Sequence, residues 1–81
     1  MLIFRAGPQN GQKPLLLLSH VDTVHPVGTL AKDLPLRREG DRLYGPGIYD
    51  MKGGAFLAFA AFKTVALAQS SKRPLVYIFT P

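Results

Sequence analysis

The sequence has no cysteine, so neither a disulfide nor a thiolate-held zinc can brace the fold. That matters for 81 residues, because chains this short bury a modest share of their surface and often rely on such braces. Acidic side chains are also scarce, 5 Asp and Glu against 10 Lys and Arg, leaving a net charge of +5. Such an excess raises nucleic acid or an anionic membrane as partner. Its distribution argues against both. The basic residues are scattered from Arg5 to Arg73, and the adjacent pairs Arg37–Arg38 and Lys72–Arg73 lie in no aromatic-rich patch. Scattered charge of this kind is usually a solvated face. The start, Met1-Leu2-Ile3-Phe4-Arg5, lacks the basic head and long apolar stretch of an export signal. The most apolar run, Gly53 to Phe62, ends at Lys63, well short of the roughly 18 residues a membrane span needs. The default compartment is therefore cytoplasmic, with an export signal upstream left open. No repeat or low-complexity tract is present.

What the chain does have is apolar residues, 47% of the total, enough to argue for a buried core over disorder. Leu2 to Ala6 reads as a short strand. Gly7 to Pro14 is a cluster of turn formers. Leu15 to Leu18 is a continuous apolar run between turn signals, the pattern of a strand covered on both faces. Val24 to Leu34 reads as loop, and Leu36–Arg38 with Arg42–Tyr44 flank Glu39-Gly40-Asp41 as a small hairpin. Gly53 to Gln69 favours a well-buried helix, with Phe56, Phe59 and Phe62 as a core stripe. Leu75 to Phe79 is β-branched and aromatic, a strand. The order predicts an α/β fold in which strands 15–20 and 75–79 are parallel and joined by a right-handed crossover. Their C-terminal ends would then share one sheet edge, where ligand sites of open α/β sheets collect.

Two segments at that edge carry chemistry. In Ser19-His20-Val21-Asp22-Thr23, residues two apart share a strand face. Asp22 is thus placed to accept one imidazole N–H of His20 and leave the other nitrogen for a metal. The plain alternative is a strand-end histidine beside a solvated aspartate. In Gly45-Pro46-Gly47-Ile48-Tyr49-Asp50-Met51-Lys52-Gly53-Gly54, glycines surround one carboxylate just before the helix. Asp50 there is either a helix N-cap or a ligand, and the glycines exceed what a cap requires. His25 reads as a loop surface residue or a metal ligand, and Lys52 as a solvated lysine or a carboxylate contact. Tyr44 and Tyr49 read as packing residues.

Taken together, Leu17 to Val24 and Tyr44 to Gly54 resemble the paired motif of the glutamate carboxypeptidase, acetylornithine deacetylase and aminoacylase family of zinc metallopeptidases. The Gly45-Pro46-Gly47 form is most similar to the glutamate carboxypeptidase branch. The resemblance runs from about Leu15 to Pro81. It implies that residues 1–81 are part of a catalytic domain, a piece of a three-layer α/β sandwich. It also implies His20 as a zinc ligand, Asp50 as a carboxylate bridging two zincs, Asp22 as the catalytic-site residue orienting His20, and a cis Asp50–Met51 peptide. The substrate would be a small molecule or peptide with a free carboxylate, cleaved at an amide bond. The parent protein would be a homodimer that binds neither nucleic acid nor membrane. The family's glutamate base follows a strand ending much as Thr80-Pro81 does, so the base and remaining ligands are expected beyond this chain, which alone would be inactive. The rival reading is a non-catalytic α/β module that keeps the scaffold for binding a partner.

Overall fold

Four runs of strand formers precede one run of helix formers and a last strand run, and the computed structural model, which describes all 81 residues, resolves them into six elements. These are β1 (Leu2–Ala6), β2 (Leu15–His20), β3 (Arg37–Glu39), β4 (Arg42–Tyr44), α1 (Gly53–Ala68) and β5 (Leu75–Thr80). β3 and β4 form the expected hairpin, antiparallel with Arg38 opposite Leu43. The other three strands form a sheet in the order β1-β5-β2. β2 and β5 run parallel, from Leu15 beside Leu75 to His20 beside Thr80. The parallel pairing is as expected, with α1 in the connection. β1 lies antiparallel on the other side of β5, Phe4 opposite Tyr77, a pairing no local pattern announced.

Alternation along β5 decides where the core sits. Leu75 and Tyr77 are buried, and Phe79 packs on the same side, as side chains two apart must. Phe62, Phe59, Ala58 and Val65 of α1 close over them, joined by Leu17 and Ala6. Phe59 is the hub, its ring centre 5.2 Å from Phe4, 6.0 Å from Tyr77, 5.9 Å from Phe79 and 6.3 Å from Phe62. Edge and offset pairs at such distances each add about 0.5–1.5 kcal/mol beyond burial.

Three expectations about burial fail. β2 is covered on one face only: Leu16 and Leu18, on the face away from α1, are 57% and 61% exposed. α1 buries just Ala55 and Phe62, and Phe56, Leu57 and Leu67 face outward. The phenylalanine stripe is thus only partly core. A step of three residues turns about 60° short of a full rotation, so the two steps from Phe56 to Phe62 spread the rings too widely for one sheet to meet them all. Tyr49 is not a packing residue either, being almost fully exposed, whereas Tyr44 is half-buried with the Arg37 guanidinium 4.1 Å from its ring centre. Counted with the turn before it, the helical stretch Ile48–Ala68 has 21 residues and is long and apolar enough to cross a membrane, longer than the Gly53–Phe62 run alone indicates. Its start is bent, and Phe59 and Phe62 pack against the sheet.

Candidate metal centre

β2 delivers His20 to the sheet edge, and the backbone continues the parallel ladder one residue further, Val21 N–H donating to Thr80 O at 3.0 Å. Behind His20 the strand is anchored by a buried hydroxyl chain. Tyr77 Oη–H donates to the Ala55 carbonyl at 3.1 Å, so Ser19 Oγ–H donates to Tyr77 Oη at 2.7 Å. Ser19 is 2% exposed and Tyr77 fully buried. One phenol therefore ties the end of β2 to the first turn of α1.

The second arm of the site is the wide turn Ile48–Lys52. Asp50 (φ −122°, ψ 95°) and Met51 (φ −136°, ψ 31°) leave helical geometry, and the peptide between them is cis, as the resemblance implied. Asp50 is not a helix N-cap: Lys52 holds that position and no side chain caps α1. The Asp50 carboxylate is free to turn toward β2 instead.

The two arms meet. His20 Nε2 lies 3.1 Å from Asp50 Oδ1, and His20 Nδ1 lies 3.1 Å from both Asp22 Oδ1 and the Asp22 carbonyl. With two acceptors at Nδ1, the imidazole carries its proton there. A neutral ring then turns the bare lone pair of Nε2 toward a carboxylate oxygen, which is repulsive unless a proton or a cation lies between. Two ligands of a tetrahedral zinc, each about 2.0–2.1 Å from the ion, stand roughly 3.3 Å apart, and a separation of 3.1 Å is equally that of an ordinary hydrogen bond. Partial loss of hydration pulls the His20 pKa down, but the hydrogen bond to the Asp22 carbonyl, the bond to Asp50 and the charges of both carboxylates outweigh it. The net result lies above the ordinary value of 6.5. Asp22 and Asp50 remain open to water, their side chains 68% and 73% exposed.

No group of three or more histidine, cysteine or acidic side chains converges to hold an ion. His25 stays out of the pair. Its N–H donates to Thr23 Oγ1 at 3.1 Å, and it lines a cleft of about 190 Å³ with Val24, Ile48, Tyr49 and Asp50. A larger cleft, about 360 Å³ around Gly7, Val65 and Gln69, has no titratable group in its lining. The sequence missed two features. The Ser19–Tyr77–Ala55 chain joins distant segments, and no local pattern signals it. Lys52 is exposed as expected, yet its ammonium donates to the Pro46 carbonyl at 2.8 Å, so it is not simply solvated.

Over 44 residues the chain is 64% identical to carboxypeptidase G2 of Pseudomonas sp. (strain RS-16), covering 54% of this chain and 10% of that protein. Over 54 residues it is 46% identical to a provisionally named succinyl-diaminopimelate desuccinylase (DapE) of Mycobacterium tuberculosis (strain CDC 1551 / Oshkosh), covering 64% of this chain and 14% of that protein. The chain thus spans a small part of the length of either relative. Residues 16–81, which include all of β2 but Leu15, the wide turn, α1 and β5, match the profile of peptidase family M20/M25/M40, and the chain belongs to that family.

Proposed function

We propose that this chain carries the first two metal donors of a metal-dependent amide hydrolase, with His20 and Asp50 as zinc ligands and Asp22 orienting His20. The reading rests on the 3.1 Å approach of His20 Nε2 to Asp50 Oδ1, an approach that a bound cation would stabilise, as a proton on Nε2 also does, once Nδ1 is committed to Asp22. Imidazole and carboxylate are common zinc donors, and a histidine ligand usually gives its other N–H to a carboxylate or carbonyl. In the two-zinc arrangement that the sequence resemblance implies, Asp50 would be the bridging carboxylate. A bound zinc would supply Lewis acidity toward the scissile carbonyl and lower the pKa of a bound water. The chain's own part is to fix the Nδ1 proton of His20, aim Nε2 and hold the Asp50 carboxylate beside it. The names of the relatives, a carboxypeptidase and a desuccinylase, support a substrate with an acylated amino group and a free carboxylate, either an N-acyl amino acid or the C-terminus of a peptide.

Two donors fall short of the three protein ligands usual for catalytic zinc, so the chain by itself is proposed to bind zinc without turnover. Calorimetric titration with Zn²⁺ tests the first part. Binding should be measurable in the wild type and lost in both His20→Ala and Asp50→Ala. A wild type that binds no better than His20→Ala would end the metal assignment. Incubation of the zinc-loaded chain with N-acyl amino acids and short peptides should release no product, and release would refute the proposed inactivity. The alternative of a non-catalytic binding module draws on the exposed Leu16, Leu18 and Phe56. It would be favoured if the chain captured a partner with His20→Ala and wild type behaving alike.

A further inference from the structure

The Gly45–Lys52 loop that carries Asp50 is held from its far end by one residue. The Lys52 main-chain N–H donates to the Gly47 carbonyl at 2.8 Å. The Lys52 ammonium crosses the loop and donates to the Pro46 carbonyl, also at 2.8 Å. The same residue therefore closes the loop twice, on successive carbonyls, with Asp50 inside the closed span. Gly47 makes this closure possible. Its φ is +72°, and a Cβ there would stand 3.2 Å from the Lys52 ammonium and 2.4 Å from Thr23 Cγ2. Thr23 follows the His20–Asp22 segment directly. The backbone of the Asp50 loop thus rests against the segment that carries His20, and the lysine is the clasp that keeps it there.

We infer that Lys52 is a positioning residue for the metal centre, its ammonium fixing the Pro46 carbonyl beside the main-chain bond to Gly47 so that the Asp50 carboxylate stays in register with His20 Nε2. The inference rests on the reading of His20 and Asp50 as metal donors. Lys52 touches neither donor through a hydrogen bond; its effect passes through the loop. A lysine acting only as surface charge would repel a cation, so its removal would strengthen metal binding. A clasp predicts the opposite sign.

The test uses the full chain as wild type, Lys52→Met and Lys52→Arg. Methionine keeps a long stem and loses the donor; arginine keeps a donor and the charge. Without metal, a nuclear Overhauser contact between the His20 ring and the Asp50 methylene is expected in wild type and Lys52→Arg. It should be lost in Lys52→Met while the thermal melt is unchanged. With Co²⁺, whose visible bands report ligand geometry, Lys52→Met should bind about 10–100-fold more weakly and Lys52→Arg within about threefold of wild type. An unchanged contact in Lys52→Met, tighter Co²⁺ binding by that variant, or equal loss in both variants would overturn the inference. So would a wild-type Lys52 ammonium exchanging its protons as fast as the other lysines, a reading that needs no variant to fold. Should wild type bind no Co²⁺, the metal reading itself fails, and the metal-free contact still decides whether Lys52 holds the loop.

Discussion

His20 faces two carboxylates with two nitrogens, and each nitrogen has a different task. Nδ1 is satisfied by Asp22, while the approach of Asp50 to Nε2 is strengthened by a proton or a cation there. Below its pKa the ring supplies that charge itself. Because the folded-state pKa lies above 6.5, protonation favours the folded metal-free chain; this contribution is complete below the unfolded value and fades as pH rises through the folded one. Metal binding runs the other way, since the ion must displace the proton. Zinc affinity should fall as the solution is acidified, by about tenfold per pH unit once His20 is protonated. The raised pKa moves the onset of that fall to higher pH than for a free imidazole. Calorimetry across a pH series checks this, and an affinity flat from neutral to mildly acidic pH would contradict it.

Between elements, the joint that matters most is Tyr77. Its hydroxyl links Ser19 on β2 to Ala55 on α1, so it holds the strand end bearing His20 against the helix start that follows Asp50. Tyr77→Phe preserves the ring packing and removes both hydrogen bonds, leaving the buried Ser19 hydroxyl without its acceptor. The expected cost is about 1–3 kcal/mol, seen as a lower urea midpoint with an unchanged m-value. This joint also marks the limit of what sequence alone could convey. The strands and helix were legible because turn formers at Gly7–Pro14 and Ser70–Pro74 bracket apolar runs, and the parallel β2–β5 pair followed from the helix between them. The His20–Asp50 meeting was legible through the paired motif and the shared sheet edge. The place of β1 beside β5 and the Ser19–Tyr77–Ala55 chain were not, because both depend on partners far away in sequence. Nor was the exposure of β2 and α1. An apolar run reports a need for burial, but not which element will supply it, and among these residues only one face of the sheet finds a helix.

On the scale of the whole chain, that unmet need is large. The accessible surface is 6355 Å², against roughly 4,800 Å² for a compact protein of this mass. The radius of gyration is 15.9 Å, where about 12 Å is usual for this length. The chain is a slab, 49 × 27 × 13 Å, with Leu16, Leu18 and Ile3 open on the face that α1 does not cover. β2 is also an edge strand, and an exposed apolar edge invites strand-to-strand association. Sedimentation velocity over a concentration series should show association in the wild type, and Leu16→Lys with Leu18→Lys should shift it toward monomer. Equal behaviour of the two would place the sticky surface elsewhere.

His20 and Asp50 belong to different pieces of the slab, one to the end of a strand and the other to the turn leading into the helix. An ion gripped by both would act as a rivet through the seam between sheet and helix, and the chain would report its presence by melting later. At zinc a hundredfold above its dissociation constant, the gain is about 2.7 kcal/mol. The melting temperature should rise accordingly, and the rise should vanish when either jaw is replaced by alanine.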